Sequence, residues 1–412
     1  MVLRSQILSL ILRLLHNIYS NMSQIALRAS STFADSKPHY EILDGLRGTA
    51  ALLVVVYHIF EGLAFAAGVD TITFLNHGYL AVDFFFILSG FVIGYAYDDR
   101  LASSMTTGQF IKRRLIRLHP MIVMGGLIGA VAFLIQGGVK WDGTPVAISL
   151  VMLALLCDMF MIPALPGSRI DVRGNGEMFS LNGPSWSLFF EYIGNILYVL
   201  FIHKISTKAL KWLVALTGIA LAAFSLFDFS GYGMLSVGWT LDGNNFIGGF
   251  LRMLFPYSLG MLLAREYKPK RKAHGAFWIG SAILLALFLV PYIPGKSPIC
   301  WNALYEMFCI MVIFPAIVCM AASGHTTDAL STRVCYWLGD LSYPLYAIHY
   351  PVMYVFFAWL IRGEHYRFSE VVPQALLTVA VSLVLAWLCL KLYDIPVRKC
   401  LSRRFIYSEK HK

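Results

Sequence analysis

Residues 46–67 read LRGTAALLVVVYHIFEGLAFAA, an apolar run long enough to span a membrane, with Arg47 near its start and His58 past its middle. The two are eleven residues apart, three helical turns, so the spacing puts both on one helix face about 16 Å apart along the axis. Hydrocarbon accommodates ionisable groups poorly, and a histidine inside a span is a functional-site candidate by default.

The same composition extends outward. Of 412 residues 58% are hydrophobic and 14% charged, and the mean hydropathy is +0.67. Runs of this length recur, which excludes a soluble globule and predicts an all-α, polytopic membrane bundle. The expected spans are 46–67, 79–97, 119–136, 186–202, 209–227, 246–264, 276–293, 304–322, 338–360 and 371–393. The net charge of +10 gathers in short segments between them: KRRLIRLH (112–119), Lys204, Lys208 and Lys211, REYKPKRK (265–272), and VRKCLSRR (397–404). By the positive-inside rule these are cytoplasmic, which leaves no nucleic-acid face. Loops 68–78 and 228–245 carry no Lys or Arg, as outer loops should.

Between the first two clusters only an even number of crossings is allowed. The apolar stretch 146–165, which holds Asp158 and ends at Pro163 and Pro166, is therefore expected to enter without crossing, leaving ten helices and both termini cytoplasmic. Residues 1–38 form a basic tail whose apolar part is too short to span, 39–400 a single membrane domain, and 401–412 a second basic tail. The seven cysteines form no CxxC pair and read as apolar filler rather than a metal cage or disulfide framework.

Four ionisable side chains from four spans fall at middle or outer depth: His58, Asp83, Glu191 and His349. Glu61, one turn above His58, is a fifth. Intramembrane charges face one another or a water-filled cavity, so convergence on a shared site is the expectation. Ser342 and Tyr346 share a helix face with His349, and Trp186 opens the span that carries Glu191. At the cytoplasmic end Arg114 and Arg117 are i, i+3 neighbours, and guanidinium pairs suit phosphate.

LRGTAALLVVVYH (46–58), GYLAVDFFFILSGFVI (78–93), the R-x-x-R at 114–117, WSLFFE (186–191), LSYPLYAIHYP (341–351) and YDIP (393–396) together resemble the acyltransferase 3 family. These are integral membrane enzymes that O-acylate cell-surface carbohydrates. Ala81 stands where the family usually has Gly, and Asp394 where it has Glu. The resemblance implies acyl-CoA, most often acetyl-CoA, as co-substrate, no metal, and a carbohydrate or glycolipid acceptor reached from a bacterial inner membrane. On this reading His58 is base or acyl relay, Glu191 or Asp83 orients it, and Arg47, Arg114 and Arg117 hold the donor. His349, Tyr346, Ser342 and Trp186 serve the oxyanion or the acceptor. The alternative is a proton-coupled transporter using the midplane His and Glu residues.

Overall fold

A computed structural model describes residues 40–69, 72–268 and 273–407. The expected basic tail at 1–38 lies outside them. Among the described residues there is no β-strand; helix follows helix. In chain order these are α1 (Glu41–Ala67), α2 (Ala81–Ser103), α3 (Thr107–Ile135), α4 (Ile148–Met159), α5 (Ser185–Leu200), α6 (Thr207–Leu226) and α7 (Gly243–Glu266). Then come α8 (Ala276–Leu289), α9 (Trp301–Ala322), α10 (Ala329–Gly363) and α11, which opens at Phe368–Leu388 and winds on to Tyr407.

Nine helices among the described residues are long and apolar enough to cross a membrane. The protein is a multi-pass membrane protein built as a helical bundle. The seventh expected span is the short one: α8 has 14 residues, about 21 Å against a hydrocarbon core of about 30 Å. Pro291 and Pro294 follow it, and neither can donate to a continuing helix. The chain still passes from one end of the bundle to the other along α8. Ala273 N–H donates to Ser323 at one end, and Phe288 accepts from His77, in the loop between α1 and α2, at the other. The stretch expected not to cross holds only α4, 12 residues or about 18 Å.

The expected tail at 401–412 is helical as far as Tyr407, continuing α11 through a π-helical turn (Cys389–Asp394) that contains Asp394.

The most buried long helix is α10, and α1 lies along it in parallel. Small residues let their backbones meet, since lipid supplies no hydrophobic drive and close packing must do the work. A Cβ at Gly48 would lie 2.4 Å from the Leu338 carbonyl oxygen, and one at Gly62 would lie 2.2 Å from the Phe357 ring. Apolar layers of α1, α2, α7, α9 and α10 form the core on one side of this seam, and α3 and α11 close it on the other.

Candidate active site

The seam between α1 and α10 holds the polar centre. Because α1 and α10 run in parallel, the stripe Arg47, His58, Glu61 lies against Ser342, His349, Tyr350. One helical turn separates His58 from Glu61, and the imidazole Nδ1 meets the carboxylate Oε2 at 2.6 Å. A carboxylate only accepts, so that bond places the imidazole proton on Nδ1 and a lone pair on Nε2. Tyr350 donates its hydroxyl to the same Oε2 at 3.2 Å, and Tyr57 donates to Oε1 at 3.4 Å. Glu61 is thus fixed from three sides. The His58 side chain is 13% exposed and that of Glu61 29%. Nε2 of His58 has no partner among the described residues.

The His349 ring stacks on His58, centroids 5.2 Å apart and planes 29° apart. Its Nδ1–H donates to the carbonyls of Leu345 (3.0 Å) and Tyr346 (2.9 Å), leaving a buried Nε2 without a hydrogen-bond partner among the described residues. Two stacked imidazoles, each with Nδ1–H committed and an Nε2 lone pair available, form a site able to take a proton or attack a carbonyl.

At the opposite end of the same stripe, Arg47 donates to Ser342 Oγ (2.8 Å) and the Gly339 carbonyl (3.3 Å) and pairs with Asp44 (2.7 Å). Arg117 stands with its guanidinium 5.5 Å from the Tyr343 ring centre. Arg47 and Arg398 lie close enough to Arg117 to repel its charge, and Asp394 close enough to attract it. Asp394 is fully buried and pairs with Arg398 at 2.9 Å. Three arginines from α1, α3 and α11 therefore gather where the seam opens. Among the described residues no group of three His, Cys, Asp or Glu side chains could hold a metal ion.

The family model described as "Acyltransferase domain" (Acyl_transf_3) matches residues 40–391. The chain belongs to that family. Among curated relatives it is 26% identical over 390 residues to "Acyltransferase MdmB" of Streptomyces mycarofaciens, covering 88% of this chain and 92% of that protein. It is 32% identical over 190 residues to "Protein 2 in picA locus" of Rhizobium radiobacter, covering 44% of this chain and 91% of that one. "Peptidoglycan O-acetyltransferase OatA" of Listeria monocytogenes is 23% identical over 386 residues, 88% of this chain but 56% of the relative. No solved structure matches. The protein is a membrane O-acyltransferase.

Within this acyltransferase the expected site residues separate into two groups. His58 and His349 meet, and Arg47 and Arg117 sit at the mouth of their seam. Neither acid expected to orient His58 touches it. Asp83 is buried with Arg252, which donates from Nη2 (2.6 Å) and Nε (3.2 Å) to its carboxylate. Glu191 accepts from Arg114 Nη2 (2.7 Å) and Ser89 (2.9 Å). Glu61 takes the orienting role because a carboxylate one turn along the same helix reaches the ring without crossing an interface.

Arg114 is correspondingly drawn inward, held also by Asn195 at 3.0 Å, and is not beside Arg117 at the mouth. Residues three apart on a helix differ by about 60° in direction, enough to send the two guanidiniums to different neighbours. Ser342 contacts Arg47. Tyr346 bonds Ser187 Oγ at 2.6 Å with its ring 5.9 Å from that of His349, and Trp186 lies 5.3 Å from the Arg252 guanidinium.

Sequence reasoning passed over Arg252, Glu306 and Arg398. The first two are charges inside apolar spans, a signal as strong as the one that singled out Asp83. Arg398 lay hidden in a basic run with an evident topological reading.

Proposed function

We propose that this O-acyltransferase moves an acyl group, acetyl foremost, from acyl-CoA on the cytoplasmic side to a hydroxyl of a carbohydrate or glycolipid on the other face of a bacterial inner membrane. The observation that carries this reading is the His58–Glu61 pair: an oriented imidazole with a free Nε2, on the same helix stripe as an arginine cluster. Coenzyme A is an anion with a long flexible arm. Arg47 and Arg117, with Arg398 beside them, suit its phosphates. The Arg47-to-His58 distance of about 16 Å along α1 suits the pantetheine arm, which then presents its thioester at the imidazole.

In the transfer, His58 Nε2 takes the proton of the acceptor hydroxyl as its oxygen attacks the thioester carbonyl. The new C–O bond forms, the C–S bond breaks, and the proton passes from Nε2 to the departing thiolate. Glu61 holds the ring and stabilises the imidazolium that forms in between. If Nε2 itself receives the acyl group first, its attack breaks the C–S bond and releases the coenzyme A thiolate. The acceptor oxygen then takes the acyl carbon from Nε2 as the C–N bond breaks, and the hydroxyl proton neutralises the thiolate. The name of the Listeria relative, a peptidoglycan O-acetyltransferase, supports a carbohydrate acceptor.

The test is purified protein in proteoliposomes given labelled acetyl-CoA. Release of coenzyme A is expected. Solute flux with no dependence on coenzyme A, and no thioester cleavage, would contradict the proposal and favour a carrier.

A further inference from the structure

The segment between α4 and α5 enters the bundle. Residues 177–188 are buried, although helix begins only at Ser185. Irregular backbone inside a membrane bundle persists only where protein satisfies it or where it lines a polar space. Much of it is satisfied. Pro351 of α10 has no N–H and so frees the Ala347 carbonyl, and Asn182 Nδ2 fills that gap at 2.8 Å. Arg173 Nε donates to Ser180 O at 2.6 Å, and Gly183 N–H donates to the Tyr354 hydroxyl at 3.2 Å.

Four polar atoms in this neighbourhood have no hydrogen-bond partner among the described residues, each on a side chain more than nine-tenths buried: Asp158 Oδ2, Arg173 Nη2, Asn182 Oδ1 and His349 Nε2. They belong to neighbouring residues: Asp158 packs beside Gly126 of α3 and Asn182 beside Gly125, Arg173 is bound at Ser180, and Asn182 is tied to α10 two residues before His349. A Cβ at Gly125 of α3 would collide with both Ala347 O (2.5 Å) and Asn182 Nδ2 (2.6 Å), so α3 closes on this point only because residue 125 has no side chain. A buried polar atom left unpaired keeps its full desolvation penalty, and four in one place call for a common explanation.

The set comprises three acceptors and one donor. A thioester has nothing to donate to the acceptors, and an ionised phosphate offers only acceptors of its own. Hydroxyl groups each donate one hydrogen bond and accept others, and match the set. We propose that Asp158, Arg173, Asn182 and His349 form a subsite for the hydroxyls of a polyhydroxylated acceptor, beside His58. The inference rests on the acyltransferase mechanism proposed above and adds where the acceptor is held.

The experiment uses full-length protein, labelled acetyl-CoA and envelope glycan extracted from the producing cells, with coenzyme A affinity as the measure of a folded donor site. Asp158→Asn replaces an acceptor by a donor at constant shape, and Asn182→Leu provides a second variant should the first fail to fold. The glycan concentration for half-maximal labelling is expected to rise about tenfold, with coenzyme A affinity at the wild-type level. An unchanged half-saturation in both variants overturns the subsite and assigns the four atoms to buried water. If the wild type releases coenzyme A but labels no glycan, the polyol subsite falls while the acyltransferase mechanism stands. If it releases none, both fall.

Discussion

Two polar regions inside the bundle, one between α2 and α7 and one between α1 and α10, differ in what their side chains leave unpaired. In one, Asp83 and Arg252 are 0% and 1% exposed. Arg252 satisfies the carboxylate and also donates to the carbonyls of Val237 (2.7 Å) and Tyr79 (3.0 Å), while Glu306 nearby accepts from Tyr79, Asn302, Ser225 and the backbone of Leu235. In the other, the stacked His58 and His349 each keep one ring nitrogen without a hydrogen-bond partner among the described residues. Both regions contain the intramembrane charges that sequence reading treats as functional. The first joins α2, α7, α9 and the loop before α7, and its two carboxylates and its guanidinium are used up. Chemistry needs a group that is not. Among ionisable side chains in a bundle, the pairing left open therefore separates a reactive centre from a clamp.

Three comparisons would break or sharpen this distinction. Asp83→Ala leaves a buried guanidinium uncompensated and is expected to destabilise the protein by about 3–5 kcal/mol, read as loss of folded protein in detergent. The double variant Asp83→Leu, Arg252→Leu removes both charges and should recover much of that loss. If the double variant folds but cannot cleave acetyl-CoA, the pair belongs to the reaction and the distinction fails.

Glu61→Gln keeps the shape beside His58 but removes the negative charge that stabilises an imidazolium. Turnover should fall about tenfold or more, on the order of 1.4 kcal/mol in the barrier, with acetyl-CoA KM little altered. A change in KM alone would make Glu61 a binding group. The smallest effect concerns the two arginines of the R-x-x-R motif. Arg117→Ala should weaken coenzyme A binding about tenfold. Arg114→Ala should act mainly on thermal stability, by about 1–3 kcal/mol, because it strips Glu191 of its cation. Equal losses of affinity in both would return Arg114 to the donor site.

The fold was largely legible from hydropathy and the distribution of Lys and Arg, because both follow directly from the bilayer acting as solvent. The missing length in α8 was written in Pro291 and Pro294, which hydropathy averaging smooths over. The centre was legible where it depends on one helix. The eleven-residue spacing of Arg47 and His58 and the one-turn spacing of His58 and Glu61 are local periodicities. Partnerships between helices were not. Asp83 and Arg252 are 169 residues apart, and nothing in helical spacing says which of several buried acids faces which base. The bond from Asn182 to the carbonyl freed by Pro351 joins a loop to a helix 165 residues away. The sequence predicts a freed carbonyl there but not its partner.

The central claim is that His58 Nε2 is the reacting atom, and the most direct test is acetyl-CoA cleavage and acyl transfer by purified His58→Ala beside its melting temperature. The account predicts a fall of about 10³-fold in turnover, with coenzyme A still bound and melting near the wild-type temperature. Retained turnover in a folded His58→Ala protein would contradict it.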